Sequence, residues 1–556
     1  MHLHALNMEL GLILSCFWSG HSYVMPVMQD AAFCRTSMNR IRSLTQLRGI
    51  DTSKQSTINS STPKPETSFY KAKGEVVEIK TLEELYEAFD PQSGRTGSQV
   101  LNSISVKGDT QCVTSDHPVA QLLYERKSRA EKLPPGTSPL VENKKDGFKV
   151  ALAIEGGGMR GCVSAGMVAA LYYLGLEDHF DAVYGSSAGS LIGAYFITRQ
   201  LPYYGPEIYY DILTTAGNKF IDTRRLLRAV GLGLLDPRLI KDVITRPRNG
   251  KPVLKLSYLL EDTVQFRKPL NWTKFVEMQE VQPLSVIASG LKSEKAMVFN
   301  MKSKSFQTLD GLAKCMHASM LLPGIAGPVM NIGTNKDGDQ MKHLLGNDQS
   351  HLLVNGEPLA DALIYEPFPY RSAVKDGATH VLILRTRPDG VDVTGKQGIF
   401  DKLVMRRFFL KKNKLRNIFD RIMNQLHKLR YGEDVIIMNE AAKTTRDYRD
   451  ATSEDPLLMP IALPPGSPEI SRLENDREAI LAGVRRGFAR TYDALINDPS
   501  KRGMGAEIAK AMYPDEILKY DPSECDSDKL SAFEVHLQRS NPELLKEISK
   551  RVRAKQ

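Results

Sequence analysis

A serine stands in the middle of a short motif that suits nucleophilic catalysis. The sequence GSSAG at residues 185–189 fits the pattern G-x-S-x-G and lies between an apolar run and a helical pattern. Such a motif makes a sharp strand-to-helix turn, which needs small neighbours and presents the serine hydroxyl at the start of the helix. The pattern alone arises by chance in some chains, and its place between a strand and a helix lowers that risk. The motif therefore predicts Ser187 as a nucleophile.

A second motif, GGGMRG at residues 156–161, also follows an apolar run and opens a helical pattern. It satisfies G-x-G-x-x-G, a turn that binds dinucleotides. Glycines let the backbone approach a ligand closely, and amides at a helix start favour negative charge. Such amides suit a pyrophosphate or the oxyanion of acyl transfer, and a purely structural turn is the third interpretation. A P-loop is excluded, because no Lys-Ser or Lys-Thr follows the glycines.

A nucleophilic serine needs a base, and the sequence offers histidines and aspartates. An α/β-hydrolase places an acid and then a histidine after the serine. The histidines that follow the serine lie in no convincing motif; they are His317, His343, His351, His380, His427 and His536. The alternative is a carboxylate bonded directly to the serine hydroxyl. Asp361 and Asp376 are the two candidates, and Asp376 precedes a glycine in what looks like an ordinary turn before an apolar strand.

The elements around these residues predict a parallel sheet. Apolar runs typical of buried strands occupy residues 148–154, 181–184, 284–289 and 380–384, and helical patterns occupy residues 163–174 and 190–198. The order strand, helix, strand, helix implies parallel strands with helices on the faces of the sheet. Further along, residues 219–280 are expected to be mainly helical, residues 330–358 an inserted polar loop, and residues 469–493 a charged amphipathic helix.

The two glycine motifs and a distant aspartate together resemble the patatin-like phospholipase family, and most of all its bacterial-type members. The aspartate is Asp361, which Leu363 and Pro369 follow as in the family, although Ala362 stands where the family commonly has glycine. Residues 318–329 are similar to the family's segment before its catalytic aspartate. The resemblance covers residues 117–387, with weaker similarity up to residue 493.

This resemblance implies a three-layer α/β/α sandwich and a Ser–Asp dyad that works without a catalytic histidine. It makes Ser187 the nucleophile and Asp361 the base that accepts the serine proton. It also implies an oxyanion loop formed by Gly156, Gly157, Gly158, Arg160 and Gly161. Water then hydrolyses the acyl-enzyme, and the resemblance implies neither a cofactor nor a metal.

The resulting prediction is a serine acyl hydrolase that cleaves ester bonds of phospholipids or other acyl lipids. One alternative is a dinucleotide-binding oxidoreductase that uses residues 156–161. That fold expects an acid at the end of the second strand, whereas Asp181 begins it. The other alternative, a non-catalytic lipid-binding relative, is disfavoured by the intact dyad residues. The sequence leaves the oligomeric state open.

Composition excludes several classes of protein. The chain has 556 residues, of which 42% are hydrophobic and 25% charged, a balance typical of soluble globular proteins. No run approaches the roughly 18 apolar residues that a membrane-spanning helix needs. The 6 cysteines are scattered and form no Cys-x-x-Cys pair, so neither a zinc site nor a disulfide framework is expected. A reducing compartment is favoured.

Four regions are expected along the chain. Residues 1–75 form a leader whose Arg, Ser, Thr and Asn content is typical of a transit segment for a plastid or mitochondrion. A disordered tail and a mis-assigned start codon are the alternatives for this leader. Residues 76–145 form a helical lead-in and linker, residues 146–390 the catalytic domain, and residues 391–556 a mainly helical extension. These features favour an intracellular location.

The net charge of +9 is concentrated in the basic segment, residues 401–430. Lys and Arg outnumber Asp there, and apolar residues recur on one helical face from Leu415 to Leu429. Three interpretations compete: a helix packed on the core with a solvated basic face, an interfacial helix on an anionic membrane, and a nucleic-acid site. No nucleic-acid module accompanies the charge, so nucleic acid is not expected as a partner. Peripheral membrane association stays an alternative to the core-packed helix.

Overall fold

The computed structural model describes most of the chain between residues 76 and 546. The described residues are 76–90, 95–222, 253–322, 326, 330–332, 357–394, 416–520, 532–543 and 545–546. The predicted leader and residues 401–415 of the basic segment lie outside them. Most of the predicted polar loop, with His343 and His351, also lies outside them.

Strands and helices alternate through the middle of the chain. The strands are β1 Val77–Glu78, β2 Ile104–Ser105, β3 Val150–Ile154, β4 Ala182–Ser186, β5 Leu284–Gly290, β6 Lys295–Phe299, β7 Met330–Ile332, β8 Glu357–Ala360, β9 His380–Leu384 and β10 Leu457–Ile461. The α-helices are α1 Leu82–Ala88, α2 Gly97–Leu101, α3 Pro118–Ala130, α4 Pro139–Asn143, α5 Gly161–Tyr173, α6 Ala188–Ile197, α7 Leu201–Glu207, α8 Trp272–Gln279, α9 Leu309–Met320, α10 Tyr370–Lys375, α11 Arg416–Met423, α12 Leu426–Ala441, α13 Arg477–Leu495, α14 Gly505–Met512 and α15 Ala532–Ser540. Two stretches are π-helical. Tyr258–Arg267 lies in the region expected to be mainly helical, and Ile208–Leu213 precedes that region. The order of strands and helices agrees with the sequence pattern.

The described strands of the main sheet follow the order β10-β9-β3-β4-β5-β8-β7, and β6 also pairs with β5. The pairs from β10 to β5 are all parallel. Beyond β5, the strands β6, β7 and β8 pair antiparallel. The expected mainly parallel α/β sheet is therefore confirmed, with an antiparallel edge. One correction concerns the predicted polar loop, because its ends form strands β7 and β8.

The central sheet is covered by helices on both faces, as the side chains of β3 show. Val150, Leu152 and Ile154 join one apolar cluster with residues of α5, α6 and α13. Ala151 and Ala153 point the other way and join a second cluster with residues of α10 and α12. Because neighbouring strand residues face opposite sides, this division places the sheet between two helical layers.

A buried arginine ties the lead-in to the start of the sheet. Arg126 on α3 contacts Asp146 and Asp181 at 2.8 Å each and donates to the backbone oxygens of His179 and Phe148. The Asp181 carboxylate also accepts from a backbone N–H at the start of β3. These contacts fix the amino-terminal ends of β3 and β4, opposite to the ends that carry the two glycine motifs.

The helix expected over residues 469–493 begins later than the pattern predicts. The helix α13 starts at Arg477, because the carboxylate of Asp476 accepts from the N–H groups of Glu478 and Ala479 and caps the first turn. Residues 469–476 are not helical and instead pass beside the first glycine motif. The segment before α13 is therefore a neighbour of the first glycine motif rather than the first part of a helix.

The basic segment forms two helices rather than one in its described part. Helix α11 ends at Met423, and Gln425 has a left-handed φ of 57° before α12 begins. Ile418 and Ile422 on α11 are only 1% and 3% exposed and pack against Leu291 and other apolar residues. The apolar stripe of α11 is thus buried in the protein. Among the described residues, no helix has both the length and the apolarity that crossing a membrane requires.

Candidate active site

Ser187 occupies a tight turn between β4 and α6, as the motif predicts. Its backbone has φ 53° and ψ −124°, a conformation that L-residues rarely adopt and that costs about 1–3 kcal/mol. The flanking glycines are required by close packing: a Cβ at Gly185 would lie 2.5 Å from the backbone of Ser190, and one at Gly189 would collide with Ile154. The strand, the turn and the helix therefore force the serine into this strained position at the carboxyl edge of the sheet.

Hydrogen bonds to the backbone hold Ser187 in this conformation. Its N–H donates to the hydroxyl of Ser319 at 2.7 Å, and that hydroxyl donates to the carbonyl oxygen of Ile287 on β5. Its carbonyl oxygen accepts from the N–H and the hydroxyl of Ser190 at 2.9 and 2.6 Å. The turn is thus anchored to the next strand of the sheet and to its own helix.

Asp361 lies directly beside the serine. The Ser187 Oγ atom donates to Asp361 Oδ2 at 3.0 Å, and Asp361 Oδ1 accepts from the N–H of Leu363 at 2.9 Å. The residue follows β8 and caps the short 3-10 helix Ala362–Ile364. Burial raises the pKa of Asp361, against the opposing effects of the Leu363 N–H, the charge of Arg472 and the bond to Ser187. A buried carboxylate held in this way is suited to accept the serine proton.

The competing aspartate lies elsewhere. Asp376 caps the end of α10 before β9 and therefore stands at the opposite edge of the sheet from Ser187. Its carboxylate accepts from the hydroxyl of Tyr184 at 2.6 Å and from Lys149 Nζ at 2.9 Å. The expected turn at Asp376-Gly377 is confirmed, with Gly377 at φ +88°.

Histidines do not complete the site in the described part of the chain. Burial lowers the pKa of His317 and His380 to about 4 and that of His427 to about 3. The ring of His380 contacts the hydroxyl of Thr379 and the carbonyl oxygen of Tyr448. None of the described histidines hydrogen-bonds Ser187 or Asp361, which leaves the aspartate as the base in reach.

The first glycine motif packs against the serine turn. A Cβ at Gly156 would lie 2.6 Å from the Cβ of Ser187, so only glycine permits this approach. Within the described residues, the N–H groups of Gly156, Gly157 and Gly158 donate to no protein acceptor. Unpaired amides beside a nucleophile are the donors that an oxyanion needs. Gly161 begins α5, where its Cα faces the ring of Tyr209.

The far side of this loop is held by the segment before α13. Met159 N–H donates to the carbonyl oxygen of Arg472 at 3.0 Å. Gly158 has φ +61°, and a Cβ there would lie 2.6 Å from the same oxygen. Arg160 is 3% exposed, and its Nη1 pairs with Glu469 Oε1 at 2.5 Å. The Arg160 guanidinium thus lies against the 469–472 segment and braces the loop.

A buried carboxylate fixes the base of the loop. Glu155 Oε2 accepts from the N–H and the hydroxyl of Thr386 at 2.5 and 3.0 Å, and its Oε1 accepts from the hydroxyl of Tyr431 at 2.6 Å. The Thr386 hydroxyl also contacts the carbonyl oxygen of Gly156 at 3.1 Å. The network joins β3, β9 and α12 and sets the direction in which the glycine amides point.

Several of these residues lack a recognisable sequence signal. Glu155, Thr386 and Glu469 come from separated segments and belong to no motif. Ser319 lies in the segment that resembles the family, but the sequence gives no sign that its hydroxyl accepts a hydrogen bond from the Ser187 N–H. A dinucleotide site would need an acid at the end of the second strand. Asp181 does not supply it, because it is bonded to Arg126 at the other edge of the sheet. Among the described residues, no cluster of three or more His, Cys, Asp or Glu side chains is arranged to hold a metal ion.

Comparison with known proteins supports the resemblance. Residues 152–374 match the family model described as patatin-like phospholipase. The matched range contains Ser187, Asp361 and the glycine loop, whereas Glu469 and Arg472 lie outside it. No curated protein matches the chain.

Two solved structures are similar to the chain at low scores. VipD from Legionella pneumophila has a TM-score of 0.27 and 14% identity over 72% of this chain and 77% of that one. The type III effector protein ExoU has a TM-score of 0.17 and 12% identity over 73% of this chain and 80% of that one. The family match is therefore the comparison that bears on activity.

Proposed function

We propose that this chain, which carries a patatin-like phospholipase domain over residues 152–374, hydrolyses acyl-lipid esters through a Ser187–Asp361 dyad. The family match supports lipid acyl hydrolysis as the class of reaction. The observation that carries the finer proposal is the contact of 3.0 Å between Ser187 Oγ and Asp361 Oδ2 at a strained strand-to-helix turn.

In the first half-reaction, Ser187 Oγ attacks the carbonyl carbon of the ester and Asp361 Oδ2 takes the hydroxyl proton. The Leu363 N–H holds the other carboxylate oxygen, so the accepting oxygen stays directed at the serine. Burial raises the pKa of Asp361, which increases its ability to hold that proton. Asp361 then passes the proton to the leaving alcohol as the tetrahedral intermediate collapses to an acyl-serine.

The negative charge that develops on the substrate's carbonyl oxygen is expected to be stabilised by hydrogen bonds from the unpaired N–H groups of Gly156, Gly157 and Gly158. These donors are preorganised, because Glu155, Thr386 and the Met159–Arg472 bond fix the loop around them. One such donor contributes about 3–4 kcal/mol to transition-state stabilisation in comparable enzymes. In the second half-reaction, Asp361 takes a proton from the water that attacks the acyl-serine. It returns that proton to Ser187 Oγ as the carbonyl carbon–Oγ bond breaks and the fatty acid is released.

Labelling with a fluorophosphonate probe and hydrolysis of a short-chain ester together test the dyad. We expect wild type to be labelled and active, and S187A to lose both properties. D361N is expected to lose activity by several orders of magnitude, whereas D376N serves as the matched aspartate control and keeps it. Full activity of folded S187A, or loss of activity in D376N with retention in D361N, contradicts the proposal.

The same experiments separate the two other candidate functions. Binding of a dinucleotide without labelling of Ser187 would favour an oxidoreductase. Binding of lipid without labelling or hydrolysis would favour a non-catalytic relative. The close approach of Gly156 to Ser187 supports the hydrolase, because the glycine loop faces the nucleophile.

A further inference from the structure

Three arginines lie near the glycine loop, and two of them share one carboxylate. Arg160 Nη1 and Arg387 Nε both contact Glu469 Oε1, at 2.5 and 3.1 Å. Arg472 follows on the same non-helical segment. Within the described part of the chain, its guanidinium has neither a carboxylate partner nor a hydrogen bond. The positive charge of this cluster therefore exceeds what Glu469 can neutralise.

Arg472 is placed beside the reacting groups. Its carbonyl oxygen receives the Met159 N–H, so its backbone lies against the loop whose amides face the nucleophile. Burial lowers the pKa of Arg472, as do the like charges of Arg160 and Arg387, whereas the charge of Asp361 raises it. The side chain nevertheless reaches solvent. The backbone of Arg472 packs directly on the loop, because a Cβ at Gly158 would lie 2.6 Å from the Arg472 carbonyl oxygen.

Nearby acids are already engaged. Glu469 is shared by two arginines, Glu155 accepts three hydrogen bonds from Thr386 and Tyr431, and Asp361 accepts from the serine. Arg160 keeps a further buried Nε atom without a partner. The exposed Arg472 guanidinium thus adds positive charge beside three carboxylates that are already engaged.

A further arginine, on α11, contacts an aromatic residue close to Asp361 in the sequence. Arg421 on α11 lies over the ring of Tyr365, 4.6 Å from its centre. Tyr365 comes shortly after Asp361 in the sequence. His427, in the first turn of α12, has its pKa lowered to about 3, first by burial and then by the charges of Lys428, Arg421 and Arg472. The charges of Arg421, Lys428 and Arg472 therefore act together on the ring of His427.

We propose that Arg472, together with Arg387 and Arg160, binds the phosphate of a net-anionic phospholipid headgroup while an ester of the same lipid lies at Ser187. This inference rests on the proposed hydrolase function and adds a preference for anionic over zwitterionic headgroups. Planar guanidinium groups match phosphate oxygens in a two-point fashion. A choline ammonium close to the phosphate would be repelled by the surrounding cations, whereas a glycerol headgroup would not.

A hydrolysis comparison tests the preference. The substrates are dihexanoyl phosphatidylglycerol and dihexanoyl phosphatidylcholine, both used as monomers so that membrane docking plays no part. We expect R472Q to reduce the ratio of kcat/KM for the first substrate over the second by about tenfold, the size of one charge-assisted hydrogen bond. R416Q is the matched control, because Arg416 is 81% exposed on the same basic segment as Arg421, and it should leave the ratio unchanged. An unchanged ratio in R472Q, or an equal fall in R416Q, overturns the inference.

A binding measurement separates this inference from the proposed function. The S187A variant is titrated with a non-hydrolysable dihexyl-ether phosphatidylglycerol, and S187A/R472Q is expected to bind it about tenfold more weakly. If wild type hydrolyses no ester while this difference in binding is found, the hydrolase proposal fails and the phosphate subsite stands. Equal affinity of the two variants overturns the subsite. Inorganic phosphate is titrated in parallel, and an affinity matching that of the lipid would assign the site to free phosphate instead.

Discussion

The hydroxyl of Ser319 offers a sharp test of how the nucleophile turn is held. It accepts from the Ser187 N–H at 2.7 Å and donates to the carbonyl oxygen of Ile287. Replacement by alanine removes both bonds and leaves a buried donor and a buried acceptor without partners. Each such group costs about 1–3 kcal/mol, so we expect S319A to lower the free energy of unfolding by at least that amount.

Activity should fall more steeply than this stability loss suggests. The strained φ of Ser187 is itself worth about 1–3 kcal/mol, and it persists only while the surroundings enforce it. If S319A releases a comparable part of that strain, the hydroxyl moves away from Asp361 and kcat falls about 10- to 100-fold. KM should change little, because Ser319 is bonded to backbone rather than directed at a substrate.

The assay combines ester hydrolysis, the rate of fluorophosphonate labelling and denaturant unfolding. S164A is the matched control, since the Ser164 hydroxyl is buried in α5 and has no hydrogen-bond partner among the described residues. We expect S164A to keep wild-type activity and stability. An S319A protein whose kcat stays within twofold of wild type would show that the turn does not depend on this hydroxyl.

Four further predictions concern stability. R126M should lower the free energy of unfolding by about 3–5 kcal/mol in denaturant titrations, because it leaves the buried Asp181 without its arginine and Asp146 with Arg129 alone, whereas R129Q should have a much smaller effect. Burial raises the pKa of Asp361, so the wild-type protein loses stability as the pH rises through that pKa; D361N should therefore be more stable than wild type at pH 7, and the gain should vanish in acid. Bonds from Tyr184 and Lys149 outweigh burial and lower the pKa of Asp376, so D376N should instead be less stable at pH 7 than wild type, with the difference lost as the pH falls. I422A should cost about 2–5 kcal/mol in thermal or denaturant unfolding, because that side chain is only 3% exposed.

The sequence was most informative where a local pattern determines local geometry. The turn at Ser187 requires small neighbours on both sides, and glycines at 185 and 189 meet that need within five residues of sequence. The buried strands are short apolar runs, which explains why β3, β4, β5 and β9 were predicted close to their observed bounds. The role of Asp361 depended on the family resemblance, because nothing in its own residue type distinguishes it from Asp376.

Prediction failed where the determining contact is distant in sequence. Residues 469–476 carry a charged, helix-like pattern, yet Asp476 caps a helix that begins only at Arg477. The non-helical segment before Arg477 contacts the glycine loop. Glu469 pairs with Arg160, and the Arg472 carbonyl oxygen accepts from the Met159 N–H. Such pairings join residues some 300 positions apart, and periodicity carries no information about them.

Helix α11 shows where one apolar stripe of the basic segment lies. An interfacial helix would direct its apolar stripe towards lipid, but Ile418 and Ile422 are buried in one cluster with Ala360 and Ile364, on either side of Asp361. Membrane association, which stays a prediction, would therefore depend on the cations of the segment and should weaken with salt. Because α11 packs against the residues on either side of Asp361, an anionic surface that engages the cations of α11 would act close to the carboxylate that we propose as the base.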